Sequence, residues 1–132
     1  MFKRILNLML LATMCGLTAI AAPKQTIKVE TNNTSLILKV AENGRLYQSY
    51  FGKRLIYDND INHLPNGIEA YLTHGMEDYF EPALHIQHPD NNHSTELIYK
   101  DHKVTTNADG AKVTTITLFD PQYPVTVVLN YS

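Results

Sequence analysis

Hydrophobic residues recur at every second position along several short segments of the chain. The clearest series are Leu36, Leu38 and Val40, and then Val125, Val127, Leu129 and Tyr131. A period of two places alternate side chains on opposite faces of an extended strand. No segment sustains the spacing of three and four residues that an amphipathic helix requires. The pattern therefore predicts an all-β domain.

Turn-forming residues separate these segments and fix the number of predicted strands. The strands are predicted at residues 26–30, 36–40, 46–51, 83–87, 95–100, 112–119 and 125–131. Asn43-Gly44 lies between the second and third, and this dipeptide readily adopts the two positive φ angles of a type I′ turn. Short strands without helices between them favour an antiparallel sandwich or barrel over an α/β fold. We predict an antiparallel β-sandwich.

The segment from Gly52 to Glu81 breaks the alternation with turn formers and aromatic residues. Such a long loop in a compact domain is usually functional or disordered, and the aromatic content argues against disorder. The candidate substrate-adjacent residues are Tyr71, Glu77, Asp78, Tyr79, Phe80 and Glu81.

The first 22 residues have the composition of a cleavable signal peptide. Lys3 and Arg4 precede an apolar run to about residue 17, and small residues follow up to Ala22. We expect cleavage after Ala21 or Ala22, a mature domain over 23–132, and export to the periplasm or beyond. Polar residues interrupt the apolar run, so no retained membrane span is expected. A lipoprotein modified on Cys15 is the alternative, although Met14 is larger than the residue usually found before a lipidated cysteine.

Charge and cysteine content exclude several classes of partner. The chain has 11 basic and 13 acidic residues, and loss of Lys3 and Arg4 moves the formal net charge from −2 to −4. An acidic domain is a poor ligand for nucleic acid or for an anionic membrane. The single cysteine lies in the leader, so the mature domain would contain no disulfide.

Two groups of side chains could carry chemistry. Glu77, Asp78 and Glu81 are acids in an aromatic setting, and a glycosidase needs two carboxylates about 5 to 9.5 Å apart. Asp58 and Asp60 form a weaker second group, and all these acids could equally be solvated loop residues.

Histidines and aromatic rings suggest two further kinds of site. His85, His88 and His93 are close in sequence and could bind zinc or copper, but His85 and His88 would face opposite sides of one strand. We therefore expect no metal and no cofactor. Aromatic rings suit sugar stacking, but without tryptophan most of them are expected in the core, with Tyr71 and Tyr79 as the exceptions.

Four stretches in order resemble the N-terminal domain of glycoside hydrolase family 36, the α-galactosidases. They are YFGKRL at 50–55, HGMEDYFEPAL at 74–84, TELIY at 95–99 and DPQYP at 120–124. The second stretch is the most specific, although Phe80 stands where many members have an arginine. In the resembled family a large N-terminal β-sandwich precedes a (β/α)₈ barrel that carries two catalytic aspartates.

The resemblance implies that this chain is a non-catalytic, incomplete part of that sandwich, a partial supersandwich with no catalytic residue of its own. An α-galactoside would then be bound by a barrel that this chain lacks. One alternative is an independent carbohydrate-binding module, which needs a closed sheet, an exposed aromatic row and a sugar-sized groove. Another is an exported metal binder, which needs three histidines in one coordination sphere. Whether the chain forms a homo-oligomer stays open.

Overall fold

The computed structural model describes residues 25–76 and 81–132. In these two ranges the elements are β1 (Thr26–Glu30), β2 (Thr34–Val40), β3 (Leu46–Lys53), α1 (Asp58–Asn62), β4 (Ile68–Glu69), β5 (Ile98–Thr106), β6 (Lys112–Phe119) and β7 (Thr126–Tyr131). They form two antiparallel sheets, with strand orders β1-β2-β3-β4 and β5-β6-β7. The predicted all-β antiparallel fold is confirmed.

The inward faces of the two sheets share one hydrophobic core. The first sheet contributes Ile27, Leu38 and Leu46, and the second contributes Ile116 and Leu118, with Leu97 just before β5; all six are at most 2% exposed. The inward residues of β7 pack against this cluster, and its other face is exposed. The alternation predicted for 125–131 is therefore confirmed, because a strand buried on one face must alternate.

The outer face of β2 is covered by the irregular segment that follows β3. Leu55 donates its backbone N–H to Ser35 Oγ at 3.0 Å, and Lys39 Nζ donates to the Leu64 carbonyl oxygen at 2.6 Å. Ile37, on the same face as Ser35, is fully buried, and Ile61 of α1 is 3% exposed. The first part of the segment that was predicted to be a loop therefore packs against β2 and contains one short helix.

The turn between β2 and β3 differs from the predicted type I′ turn. Of its two residues only Gly44 has a positive φ, 79°. Gly44 N donates to the Ala41 carbonyl oxygen at 3.0 Å, and Asn43 Oδ1 accepts the N–H of Arg45. The side chain of Asn43 thus closes the turn while its backbone stays at negative φ, and the loop is longer than two residues. The hairpin between β5 and β6 repeats the backbone arrangement, since Gly110, at φ 81°, donates its N–H to the Asn107 carbonyl oxygen at 3.1 Å, but there the side chain of Asn107 closes the turn.

The prediction of a strand at 83–87 is wrong. Leu84 and Ile86 are half-buried between exposed neighbours, so the alternation is present, but among the described residues the only pairing there is a parallel bridge between Thr73 and Leu84. Pro82 and Pro89 flank the segment and lack the N–H groups that would extend a ladder. β5 also begins at Ile98 instead of 95 and continues to Thr106, because β6 pairs with it along that length.

Candidate functional site

The predicted substrate-adjacent residues fall into two groups. Glu77, Asp78, Tyr79 and Phe80 lie outside the residues that the structure describes. Tyr71 is half-buried and packs against the core cluster, and Glu81 is exposed.

Three segments lie side by side next to this part of the chain, and we call them the three-segment ladder: residues 72–75, 83–85 and 93–95. Ala83 N donates to the Leu72 carbonyl oxygen at 2.9 Å, and His74 N donates to the Leu84 carbonyl oxygen at 3.1 Å. Thr95 N donates to the His74 carbonyl oxygen at 3.2 Å. The residue order along the chain therefore gives no indication of which side chains become neighbours here.

The three-segment ladder brings three imidazole rings together. The ring centroids of His74 and His85 are 4.4 Å apart, those of His85 and His93 are 5.1 Å apart, and those of His74 and His93 are 6.3 Å apart. His85 Nε2 lies 2.9 Å from His93 Nδ1, a hydrogen-bond distance. The sequence analysis identified His85 and His93 but not His74, because only the ladder brings His74 next to them.

His88 lies outside this group of rings, although the strand on which His85 and His88 were expected to face opposite sides is not formed. It is 4% exposed, its ring stacks on Tyr123, and its Nε2 lies 3.0 Å from Thr95 Oγ1. The Tyr123 hydroxyl donates to Asp90 Oδ2 at 2.8 Å. The backbone N–H of Asn92 and then this hydroxyl hold the pKa of Asp90 below its ordinary value. The cluster ties the 88–95 loop to the loop before β7.

A buried ion cluster connects the two sheets, and sequence reasoning did not identify it. Arg45, 6% exposed, places Nη1 3.6 Å from Glu69 Oε2 and Nη2 3.5 Å from Glu96 Oε1. Glu96 N donates to Asp120 Oδ2 at 2.9 Å. Losing one partner of a buried pair strands a charge at low dielectric, typically at a cost of about 3–5 kcal/mol. The arrangement suits a structural role better than proton transfer.

A groove of about 600 Å³ opens beside α1, and apolar Leu55 and Ile56 line it together with polar side chains. Its charged lining comprises Lys28, Lys53, Arg54, Glu30 and Asp58, and Asn32 and Asn33 add amide groups. Lys28 forms an ion pair with Asp58, so the first of the weaker candidate acids has its charge compensated. Tyr57, directly before α1, is 69% exposed. The groove offers hydrogen-bonding groups of the kind that bind a polar ligand.

Two further findings concern metal sites and membrane-spanning helices. Over residues 25–76 and 81–132, no group of three or more His, Cys, Asp or Glu side chains could hold a metal ion. No helix in the same ranges is both long and apolar enough to cross a bilayer.

Comparison with known proteins gives two kinds of match. The family model described as the glycosyl hydrolase family 36 N-terminal domain matches residues 44–132. Among solved structures, the α-galactosidase from Lactobacillus brevis superposes with a TM-score of 0.68 at 21% identity, over 85% of this chain and 20% of that chain. A family 36 α-galactosidase from Geobacillus stearothermophilus, solved in complex with raffinose, gives 0.68 at 18% identity, over 81% and 20%. No curated protein matches significantly.

The chain spans about a fifth of the length of these two enzymes, and at such identities the likeness to them shows the fold. The family model, in contrast, covers well over half of the chain and includes every residue of the four stretches that carry the resemblance. The chain therefore belongs to the glycosyl hydrolase family 36 N-terminal domains.

Proposed function

We propose that this chain is the non-catalytic N-terminal β-sandwich part of an exported α-galactosidase, in which a separate barrel hydrolyses terminal α-galactosides. The observation that carries the proposal is the family match over residues 44–132. The fold shared with two α-galactosidases supports it.

Four of the described carboxylates have partners that fit a structural role. Glu69 and Glu96 are held by Arg45, and Asp58 is held by Lys28. Asp120 accepts backbone N–H groups from Glu96, Gln122 and Tyr123. A glycosidase instead needs one carboxyl group free to give a proton and a second facing the sugar.

The substrate-adjacent part of this proposal is the irregular segment from Asp58 to Glu81. We place it beside the mouth of a barrel, either in the same polypeptide or in a neighbouring subunit. The groove next to Asp58 and the exposed ring of Tyr57 support this placement, because both are open to a neighbouring surface.

An activity assay tests the non-catalytic role. The purified chain is expected not to hydrolyse a nitrophenyl α-galactoside, while a polypeptide continued through the codons downstream of Ser132 is expected to do so. Turnover by the chain alone that disappears in Glu77→Gln or Asp78→Asn would refute the proposal. A downstream sequence that encodes no barrel would contradict the proposal.

Export is the second part of the proposal, and it rests on the charged, apolar and small-residue order of the leader. Intact-mass measurement on protein from the periplasm is expected to show a chain that starts after Ala21 or Ala22. A lipid adduct on Cys15 would show that the lipoprotein alternative is correct.

An independent carbohydrate-binding module is the second candidate, and the groove beside exposed Tyr57 favours it. Calorimetry with raffinose distinguishes the two. A module would bind the sugar and lose affinity in Lys53→Ala, but keep it in Lys103→Ala. Lys53 lines the groove, and Lys103 is the matched control because it is also an exposed lysine on a strand but does not line this groove. Absence of binding would favour the non-catalytic domain.

A further inference from the structure

The chain contains two Asn-Gly dipeptides, Asn43-Gly44 and Asn66-Gly67. In such a dipeptide the backbone nitrogen of the glycine can attack the side-chain carbonyl carbon of the asparagine, because glycine has no side chain to hinder the approach. The attack expels the amide nitrogen as ammonia and destroys the asparagine. The two dipeptides are identical in sequence, so a difference in their reactivity must come from the fold.

Hydrogen bonds hold every group of Asn43-Gly44 that this reaction would use. Asn43 Oδ1 accepts the N–H of Arg45 at 3.1 Å, and Asn43 Nδ2 donates to the Tyr47 hydroxyl at 3.0 Å. The attacking nitrogen would be that of Gly44, which donates to the Ala41 carbonyl oxygen at 3.0 Å. The side chain must turn its carbonyl carbon towards this nitrogen to react, so these bonds have to break first.

The second dipeptide lies directly before β4 and is held in a different way. Over residues 25–76 and 81–132, no group forms a hydrogen bond with the side-chain amide of Asn66 or with the N–H of Gly67. Ser49 Oγ donates to the backbone carbonyl oxygen of Asn66 at 3.1 Å, but the reaction does not change that oxygen. Gly67 is exposed and Asn66 is partly exposed, so water reaches both.

We propose that Asn66 is a site of spontaneous deamidation. The nitrogen of Gly67 gives its proton to water and bonds to the side-chain carbonyl carbon of Asn66, and the C–N bond of the side-chain amide breaks to release ammonia. Water then opens the resulting succinimide ring at one of its two carbonyl carbons. The product at position 66 is an aspartate or an isoaspartate with one additional negative charge, and the only co-reactant is water.

The modification acts on a junction with little room. A Cβ on Gly67 would lie 2.0 Å from the Gln48 carbonyl oxygen, so the backbone before β4 packs closely against β3. β4 has only two residues, and its Glu69 lies 3.6 Å from the Arg45 guanidinium. An isoaspartate adds one methylene group to the backbone at this point. We therefore expect the isoaspartate form to pair less well with β3 than the original chain does.

Peptide mapping by mass spectrometry on the folded chain, incubated in mildly alkaline buffer, tests the proposal. The peptide with Asn66 is expected to gain the mass difference between an amide and a carboxylic acid about tenfold faster, or more, than the peptide with Asn43, whose hydrogen bonds must open first. In the chain unfolded in urea, the two sites are expected to react at similar rates. Equal rates in the folded chain, a faster reaction at Asn43, or no reaction at Asn66 would overturn the proposal.

A pair of tyrosine variants tests whether the hydrogen bonds separate the two sites. Tyr47→Phe removes the acceptor of Asn43 Nδ2 and is expected to raise the rate at Asn43 while the rate at Asn66 stays the same. Tyr50→Phe is the matched control, because its hydroxyl donates to the Lys53 carbonyl oxygen, and it is expected to change neither rate. An unchanged rate at Asn43 in Tyr47→Phe would contradict this explanation, whereas the comparison of folded and unfolded wild-type chain does not depend on either variant.

Discussion

The imidazole of His88 lies flat on the phenol ring of Tyr123, with centroids 3.5 Å apart and an interplanar angle of 9°. The Tyr123 hydroxyl continues the contact to Asp90, and Asn92 Nδ2 donates to the same hydroxyl at 2.9 Å. Two loops that are more than 30 residues apart in sequence are thus joined by one ring and one oxygen. This junction closes the sandwich beside the start of β7.

Tyr123→Phe keeps the stacked ring and removes the hydroxyl. The pKa of Asp90 is lowered in the folded chain, so its contribution to stability is present above its unfolded value near 3.8 and is lost as the pH falls through the folded value. We expect Tyr123→Phe to lower the unfolding midpoint in urea at neutral pH, and the difference from the wild type to shrink at pH values below about 4.

The control for this experiment is Tyr50→Phe, since the Tyr50 hydroxyl donates to the neutral carbonyl of Lys53. Its effect is expected not to change over the same acid range. A Tyr123→Phe difference that is constant with pH would show that the hydroxyl does not act through Asp90.

Gly67 and Gly110 have nearly the same φ, +78° and +81°, but their surroundings differ. A Cβ on Gly67 would lie 2.0 Å from the Gln48 carbonyl oxygen, whereas a Cβ on Gly110 would meet nothing within 4 Å. We expect Gly110→Ala to lower the free energy of unfolding by about 1–2 kcal/mol, the cost of the left-handed conformation. Gly67→Ala should cost clearly more, and chemical denaturation that gives equal losses would contradict this steric argument.

The outer edges of β5 and β7 differ in charge. β5 carries Lys100, Asp101 and Lys103, and charged residues discourage edge-to-edge pairing. β7 has no charged residue, and Val128 on its outer face is 52% exposed. We therefore predict that the isolated chain dimerises or aggregates through β7.

Val128→Lys is expected to increase the monomer fraction in sedimentation velocity. Val104→Lys on β5, where the valine is 54% exposed, is the control and should leave self-association unchanged. A wild-type chain that stays monomeric at high concentration would disprove the prediction.

Tyr131 is half-buried at the end of β7, and burial raises its pKa above 10.0. A raised tyrosine pKa means that its contribution to stability is complete below the unfolded value and is lost as the pH rises through the folded value. We expect Tyr131→Phe to reduce the loss of thermal stability between about pH 9 and pH 11. If the wild type and Tyr131→Phe lose thermal stability equally over this range, another group causes the alkaline sensitivity. Tyr99, whose pKa is also raised by burial, is the next candidate.

Strand positions with one buried face were predictable from the sequence. The bounds of β6 agree with the prediction at both ends, and those of β7 differ by one residue, because inward residues such as Ile116 and Leu129 alternate with exposed ones. The same local signal misled at 83–87, where alternation is present but the residues that the structure describes form a single isolated bridge. Alternation records burial, whereas a strand also requires a neighbour that supplies hydrogen bonds.

The sequence by itself thus determined the fold class and the family, since period-two burial and the four short stretches are properties of contiguous residues. Only the tertiary structure decided which distant side chains meet: His74 with His85, Arg45 with Glu96, and His88 with Tyr123. Each of these contacts joins segments that sheet packing and loop closure bring together. A contact between distant positions depends on the whole set of backbone pairings, and no local pattern of residues records it.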